Sequence, residues 1–366
     1  MSNNTIKLRK WLYPVSLLYG TGVWLRNKLF DWNILKERSF PLPVISVGNI
    51  TVGGTGKTPH TEYLIRLLSK EYQVSVLSRG YKRKSKGFIL STTHSTVSEI
   101  GDEPYQMKQK YPHVHVAVDA NRCNGIEQLC SHNITPETDV ILLDDAFQHR
   151  YVKPGMNILL VNYHRLICND MLLPAGKLRE NPNGKHRAKI VIVTKCPKNI
   201  TPIDLRVLTK QMELFPYQYL FFTTFEYGKL YPISGLGKTY PLNKINENVH
   251  ILVVSGIASP DRLINEIEKH NKHVTHIDFG DHHAFSTKDL ENIQNHFQAL
   301  PEGMRMIITT EKDAARLKSH PDLNESIKPY IYVLPIEVSF LQDQQDSFNS
   351  MIHDYVRKNQ RNSPIS

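Results

Sequence analysis

Short aliphatic and β-branched runs recur along the chain, each closing on a polar or glycine-bearing turn before apolar residues resume at helical spacing. Residues 44–47, 74–77, 114–118, 140–143, 157–161 and 190–193 are such runs. They are too short for helices, and most lack a polar face, so they predict buried strands. Strands alternating with helical stretches predict a largely parallel sheet flanked by helices. Two extended runs, 219–225 and 230–233, lead into a Gly/Pro-bearing link over 234–243. The alternation then restarts, with strands at 250–255, 274–279 and 306–309 and helices at 260–270 and 287–299. A last strand near 333–336 and a terminal helix over 342–357 complete the pattern.

Ahead of the first strand, Leu8, Trp11, Leu12, Val15, Leu18, Tyr19, Gly22, Leu25 and Leu29 recur at helical spacing. Lys7, Arg9 and Lys10 precede the apolar part, and Arg26 and Lys28 follow it. The uncharged run 11–25 is shorter than the ~20 residues a bilayer crossing needs. Arg-Asn-Lys follows, where a leader peptide would carry small residues. The pattern fits an interfacial helix with basic residues toward anionic lipid. It also fits a helix packed on the domain, and the two readings are compatible.

Between the strand 44–47 and the helical stretch 60–68 lies Gly-Asn-Ile-Thr-Val-Gly-Gly-Thr-Gly-Lys-Thr-Pro, 48–59. Strand, glycine loop and helix in that order make a phosphate-binding loop, because glycines let successive N–H groups turn toward an anion. Thr51, Val52, Gly53, Gly54, Thr55, Gly56, Lys57 and Thr58 form the candidate nucleotide cradle. Lys57 would reach the β- and γ-phosphates and Thr58 the Mg²⁺, with the helix N-terminus adding its dipole. Thr51 stands where the usual motif has its first glycine, which brings the loop closer to the GGxGK[ST] variant. The expected fold is therefore α/β: a P-loop NTPase-like domain over 36–225, a smaller α/β domain over 226–366 and an N-terminal membrane-interface helix within 1–35.

The run 140–143 ends in Asp144 and Asp145, followed by Gln148 and His149. An apolar strand ending in acid is the Walker B pattern, whose carboxylate meets the nucleotide's Mg²⁺. Arg79 and Lys82 lie in a basic loop after a strand, where ligands of α/β sheets bind; the other reading of that loop is a solvated one. Asp102 and Glu103 precede a helix, whose N-terminus they would favour in any case. Arg179 and Glu180 sit in the loop 172–181, and the strand 190–193 ends in Thr-Lys-Cys-Pro, where a base could lie. Asp281, His282 and His283 follow another strand, and paired histidines beside an aspartate suit proton transfer.

A length of 366 residues suggests about two domains, and ordinary apolar content excludes a disordered chain. The net charge of +10 points to an acidic partner: nucleic acid, anionic membrane or a phosphorylated substrate. Cys123, Cys130, Cys168 and Cys196 show neither disulfide nor zinc spacing and read as free thiols.

Together GNITVGGTGKTP, LSRGYKR, GDEP, DDAFQH, LLPAGKLREN, DHHAF and TTEKD resemble the tetraacyldisaccharide 4'-kinase family, the lipid A 4'-kinases. The resemblance runs to about Leu317. It implies two α/β domains with ATP and substrate in the cleft between them. It also implies γ-phosphoryl transfer to the 4'-hydroxyl of a lipid disaccharide 1-phosphate at the cytoplasmic face of a bacterial inner membrane. Asp102 matches the family's catalytic base and His282 its partner, with Asp145 and His149 also at the reacting centre. Asp144 and Glu103 join Thr58 as metal ligands, and Gln148, Arg179 and Glu180 join Arg79 and Lys82 at the substrate. Ala146 stands where many members have glycine. ATP and Mg²⁺ are the implied cofactors, with no nucleic acid and no obligate protein partner. A membrane-associated P-loop switch or partition protein is the rival reading, and Val52 in place of that class's extra lysine counts against it. A soluble small-molecule kinase is a second rival, opposed by the N-terminal stripe.

Overall fold

The computed structural model describes residues 8–131, 134, 135, 137–235, 237–257, 260–280 and 283–360. After one 3-10 turn (Lys10–Leu12) comes α1 (Tyr13–Asp31). β1 (Val44–Gly48) leads through the glycine loop into α2 (Lys57–Leu68). There follow β2 (Val74–Ser78), β3 (Ile89–Leu90), α3 (Val97–Ile100), α4 (Asp102–Lys110), β4 (His115–Val118) and α5 (Arg122–Cys130). β5 (Val140–Asp144), β6 (Met156–Asn162), β7 (Ile190–Thr194), α6 (Pro202–Met212) and β8 (Tyr219–Tyr227) come next. β9 (Tyr231–Pro232), β10 (His250–Ser255), α7 (Asp261–Glu268), β11 (Val274–Asp278) and α8 (Thr287–Gln298) follow. The chain ends with β12 (Arg305–Thr310), α9 (Glu311–Lys318), β13 (Ile331–Leu334), β14 (Ile336–Phe340) and α10 (Gln345–Gln360).

Nine strands form one sheet in the order β14-β8-β7-β6-β1-β5-β2-β4-β3, and five form a second, β11-β10-β12-β13-β9. Only the edge strands β14, β3 and β9 run antiparallel to their neighbours. Every residue of β1, β2, β5 and β7 is buried. Helices cover both faces, so the strands read as unbroken apolar runs rather than as alternation. The chain leaves β1 toward β2 and β4 on one side and builds β6, β7 and β8 on the other. β1 is thus the switch point where open α/β sheets bind ligands. Its register pairs Val47 with Asp144, which sets the Walker B acid beside the exit into the loop.

The expected boundary at 226 does not enclose everything beyond it. β14 pairs with β8 in the large sheet. Phe340, Phe348, Ile352 and Val356 share a core with Leu64, Leu68 and Phe221. Phe348 stands 4.7 Å from Phe340 and 5.3 Å from Phe221, ring centre to ring centre. The reason is burial: the edge of β8 and the flank of α2 present apolar surface that α10 covers. The chain therefore crosses between sheets twice, at 228–230 and at Pro335, and Gly228 N donates to Pro335 O at 3.0 Å to hold the crossings together.

α1 packs the reverse of a normal surface helix. Ser16 donates to Leu172 O, Tyr19 to Arg179 O and Asn27 to Glu180, so polar groups face the body. Leu17, Leu18, Trp24 and Leu25 face outward, with Leu18 77% exposed. Trp11, Trp32 and Ile34 extend that apolar surface. The helix starts at Tyr13, later than the helical spacing from Leu8, and residues 1–7 lie outside the described part. Among the described residues no helix is long and apolar enough to cross a membrane.

Candidate active site

The glycine loop is pinned from beneath and left open above. Asn49 Nδ2 donates to Thr55 Oγ1 and Thr194 Oγ1 to Thr55 O, both at 2.8 Å. Val52 N donates to Lys177 O at 2.7 Å and Arg179 N to Ile50 O at 2.8 Å, so the loop 172–181 straps the first half. Gly56, the N-cap of α2, has φ 86°, and a Cβ there would come within 2.4 Å of the Phe225 ring. Gly53 has φ 113° and open space around it. Such a loop presents backbone N–H groups to an anion at a helix N-terminus.

Acidic groups converge on it. Asp144 is fully buried, accepting from Thr61 Oγ1 at 3.2 Å and Ser78 Oγ at 3.5 Å. Burial, then the neighbouring Asp145, push its pKa up to about 6 against the pull of Lys57. Glu103 is pushed up to about 7 by burial and then by Asp144, with Lys57 again opposing. Asp145 sits in left-handed backbone at φ 48°, a conformation unusual for a side-chain-bearing residue. Its Oδ2 lies 3.6 Å from Lys57 Nζ, and its buried Oδ1 has no hydrogen bond, with Arg179 Nη1 3.5 Å away. All these donors are hard oxygens, and one carboxylate oxygen is unsatisfied. That fits Mg²⁺, which takes one or two carboxylates and completes its shell with phosphate and water. No group of three metal-ligating side chains occurs among the described residues.

Beside the acids lies a basic cavity of about 520 Å³, lined by Arg26, Arg122, His149 and Tyr151 among others. Burial, then the Arg122, Arg79 and Arg26 charges, bring His149 down to about 4. Its imidazole is thus neutral near pH 7. Arg122 is 2% exposed and keeps Nε and Nη2 without hydrogen bonds. Gln148 joins the cavity wall to the loop: its Nε2 donates to Asn49 O at 2.5 Å and its Oε1 accepts from Arg179 at 3.3 Å. Glu180, expected at the substrate, is instead buried at 2% exposure with both oxygens on Arg187, at 2.7 and 2.8 Å. It positions the strap rather than facing the cleft. Lys82 lies exposed over the Tyr81 ring, and among the described residues no ion pair ties it to the acids.

The second sheet supplies the far wall. Asp102, at the start of α4, pairs with Arg316 of α9 at 2.5 Å, and Arg316 also holds buried Asp313 at 3.3 Å. Lys312 acts on Glu103. Further back, Lys110 lies 2.5 Å from both Glu62 of α2 and Glu311 of α9. Burial opposes its charge, and the two glutamates more than offset that, leaving it firmly protonated. His282 lies outside the described residues, as does Asp281. The neighbouring His283 Nε2 is 2.9 Å from Asp289.

Arg122, Lys312 and Arg316 were not singled out from the sequence. The latter two lie in or just past TTEKD, whose Thr310 caps α9 by accepting from Asp313 N, and that motif was the available signal. For Arg122, an arginine in an otherwise weakly polar helix start gave none.

The family description Tetraacyldisaccharide-1-P 4'-kinase matches residues 8–357. A tetraacyldisaccharide 4'-kinase of Phocaeicola vulgatus is 67% identical over 366 residues, covering 100% of both chains. One from Bacteroides fragilis is 56% identical over 368 residues, covering 100% of this chain and 98% of its own. The solved LpxK of Aquifex aeolicus, crystallised in complex with ATP, has a TM-score of 0.72 at 29% identity, covering 95% of this chain and 99% of its own.

The raised Glu103 pKa carries a sign. A carboxyl that holds its proton more tightly folded than unfolded contributes stability below its unfolded pKa and loses it as pH rises toward 7. Metal-free Glu103→Gln should therefore melt roughly 2–4 °C above wild type at about pH 8 and alongside it at about pH 4.5. His60 and His149, both brought down to about 4, have the opposite pH dependence and cancel in the comparison. A wild-type–variant gap that is the same at both pH values would contradict the burial of this acid.

Proposed function

Because the chain belongs to the tetraacyldisaccharide-1-P 4'-kinase family, we infer that it transfers the γ-phosphoryl group of ATP to the 4'-hydroxyl of a lipid A disaccharide 1-phosphate precursor. The observation that carries this reading is the convergence of Lys57, Asp144, Asp145 and Glu103 at a pinned phosphate loop. Phosphoryl transfer needs positioned groups and neutralised charge more than covalent help from the protein.

Lys57 and the N–H groups of 51–58 hold the β- and γ-phosphates. Thr58, Asp144 and Glu103 would hold Mg²⁺, which when bound would supply neutralisation of the polyphosphate's charge. Asp102 takes the proton of the attacking hydroxyl as the new P–O bond forms and the bond to the β-bridging oxygen breaks, leaving ADP. Arg316 fixes that carboxylate, and His282 is its partner in the proton transfer. Asp145 and Arg179 orient Lys57 and the γ-phosphoryl. Arg79, Gln148, Arg122 and neutral His149 line the acceptor side, where the anionic disaccharide has arginines to meet. Lys82 stands at the outer edge of that surface. The cleft between 36–225 and most of 226–366 closes over both substrates, excluding water.

We place the outward apolar face of α1 in an anionic membrane surface, on the cytoplasmic side of the inner membrane. Leu17, Leu18, Trp24 and Leu25 are largely exposed, and Arg9, Lys10 and Lys28 flank them. The same helix touches Gln148, Arg150 and Arg179, which brings the lipid interface to the acceptor cavity.

The direct assay is mass spectrometry of a disaccharide 1-phosphate incubated with protein, ATP and Mg²⁺. Wild type should add one phosphate, and folded Lys57→Ala should lose at least about 10²-fold in rate. ADP release without lipid phosphorylation would favour the switch protein instead.

Leu18→Ser combined with Trp24→Ser leaves the packed face of α1 untouched. The pair should weaken binding to anionic vesicles about tenfold or more by removing buried apolar area. Turnover of detergent-dispersed substrate should survive. Undiminished vesicle binding would remove this helix from the membrane.

A further inference from the structure

His60 is a polar residue on the buried face of α2 and has no task in the chemistry above. It stands one turn before Leu64 and two before Leu68, both in the apolar core, and is itself 4% exposed. Burying an imidazole is costly unless both ring nitrogens are bonded, and both are. Nδ1 lies 2.7 Å from Gly56 O, and Nε2 lies 3.1 Å from Thr223 Oγ1 on β8. A carbonyl oxygen only accepts, so Nδ1 carries the proton. Burial holds the ring neutral near pH 7, so Nε2 accepts from the Thr223 hydroxyl. Gly56 O therefore accepts twice from one residue, because His60 N also donates to it at 3.2 Å. The backbone bond begins the helix, and the ring bond is additional to it.

Gly56 is the point at which the phosphate loop becomes α2. It lies in left-handed backbone, φ 86°, and has no side chain with which to cap the helix. Its carbonyl belongs to the same rigid peptide as the Lys57 N–H, and in a trans peptide the two point in opposite directions. Drawing Gly56 O toward His60 therefore turns the Lys57 N–H out of the helix end, where the first N–H groups have no partner within the helix. The Phe225 ring bounds the same glycine from the side, 2.4 Å from where a Cβ would stand. We propose that His60 is a positioning residue for phosphoryl transfer: its Nδ1–H fixes the plane of the Gly56–Lys57 peptide, so that the Lys57 N–H meets the polyphosphate already oriented. The ring takes its own orientation from Thr223, so β8 sets the direction of that donor through His60. This rests on the nucleotide reading of the loop and adds the group that holds the cradle in its binding shape before ligand arrives. A donor ordered in advance binds an anion more tightly, because no ordering cost is left to meet on binding.

Two variants of the full chain test it by calorimetric titration with Mg·ADP and, separately, with Mg·tripolyphosphate. His60→Leu keeps apolar bulk and removes both ring nitrogens, whereas His60→Asn keeps an N–H donor where Nδ1 stands. His60→Leu should bind both ligands about tenfold more weakly, the worth of one misdirected hydrogen bond to a charged group. His60→Asn should stay within about twofold of wild type. KM for the disaccharide 1-phosphate should be unchanged in both, a split that a general loss of structure does not produce. If His60→Leu does not fold, His60→Phe, which keeps a ring but lacks the donor, carries the same expectation. Wild-type affinity in the donor-less variant overturns the proposal. So does a loss that His60→Asn fails to recover, or one that raises the disaccharide KM equally, because His60 would then serve only the core. Wild type that binds neither polyphosphate would remove the phosphate-loop reading itself, an outcome distinct from those.

Discussion

Glu103, Asp144 and Asp145 crowd into one low-dielectric corner, and Lys57 acts on all three. Charges this close in a poorly solvated site repel by several kcal/mol unless protons or cations intervene. Burial first, and that repulsion after it, push Asp144 up to about 6 and Glu103 up to about 7. The strained backbone of Asp145 and its unsatisfied oxygen belong to the same arrangement. A site built this way binds a divalent cation and polyphosphate together, since each satisfies what the other leaves over.

The rest of the chain holds that corner in place. Parallel register fixes Asp144 beside the loop exit, and the buried threonines, Thr55 and Thr194, fix the loop. Glu103 arrives on α4, whose position against α9 is set by the buried Glu62–Lys110–Glu311 group and by Asp102–Arg316. Buried ion groups like these specify geometry more reliably than they add stability. They hold the second sheet to the first in one arrangement, across two chain crossings that are hydrogen-bonded to each other.

Much of this is legible in the sequence, for identifiable reasons. Strands covered on both faces leave continuous apolar runs, and a loop that must wrap an anion leaves glycines and GKT. What escapes is whatever depends on a distant partner. Ile336, Val338 and Phe340 alternate as any edge strand does, and nothing local says that they return to the first sheet. Glu180 reads as a polar loop residue until Arg187 folds onto it. The helical spacing over 8–29 marks a stripe but not its direction, and only the polar contacts of Ser16, Tyr19 and Asn27 show that the apolar side faces out. Arg316 and Asp102 are 214 positions apart, beyond the reach of any pattern.

The most direct measurement is the proton count on binding. Calorimetry of Mg·ADP binding at about pH 6.5, repeated in buffers of different ionisation enthalpy, yields the number of protons exchanged. Because Glu103, raised to about 7, and a smaller share of Asp144, raised to about 6, hold protons near that pH in the free protein, Mg·ADP should expel them, giving net release that shrinks in Glu103→Gln and fades by about pH 8.5. Binding with no proton release at pH 6.5, or release unchanged in Glu103→Gln, would contradict an acid cluster held in wait for a cation.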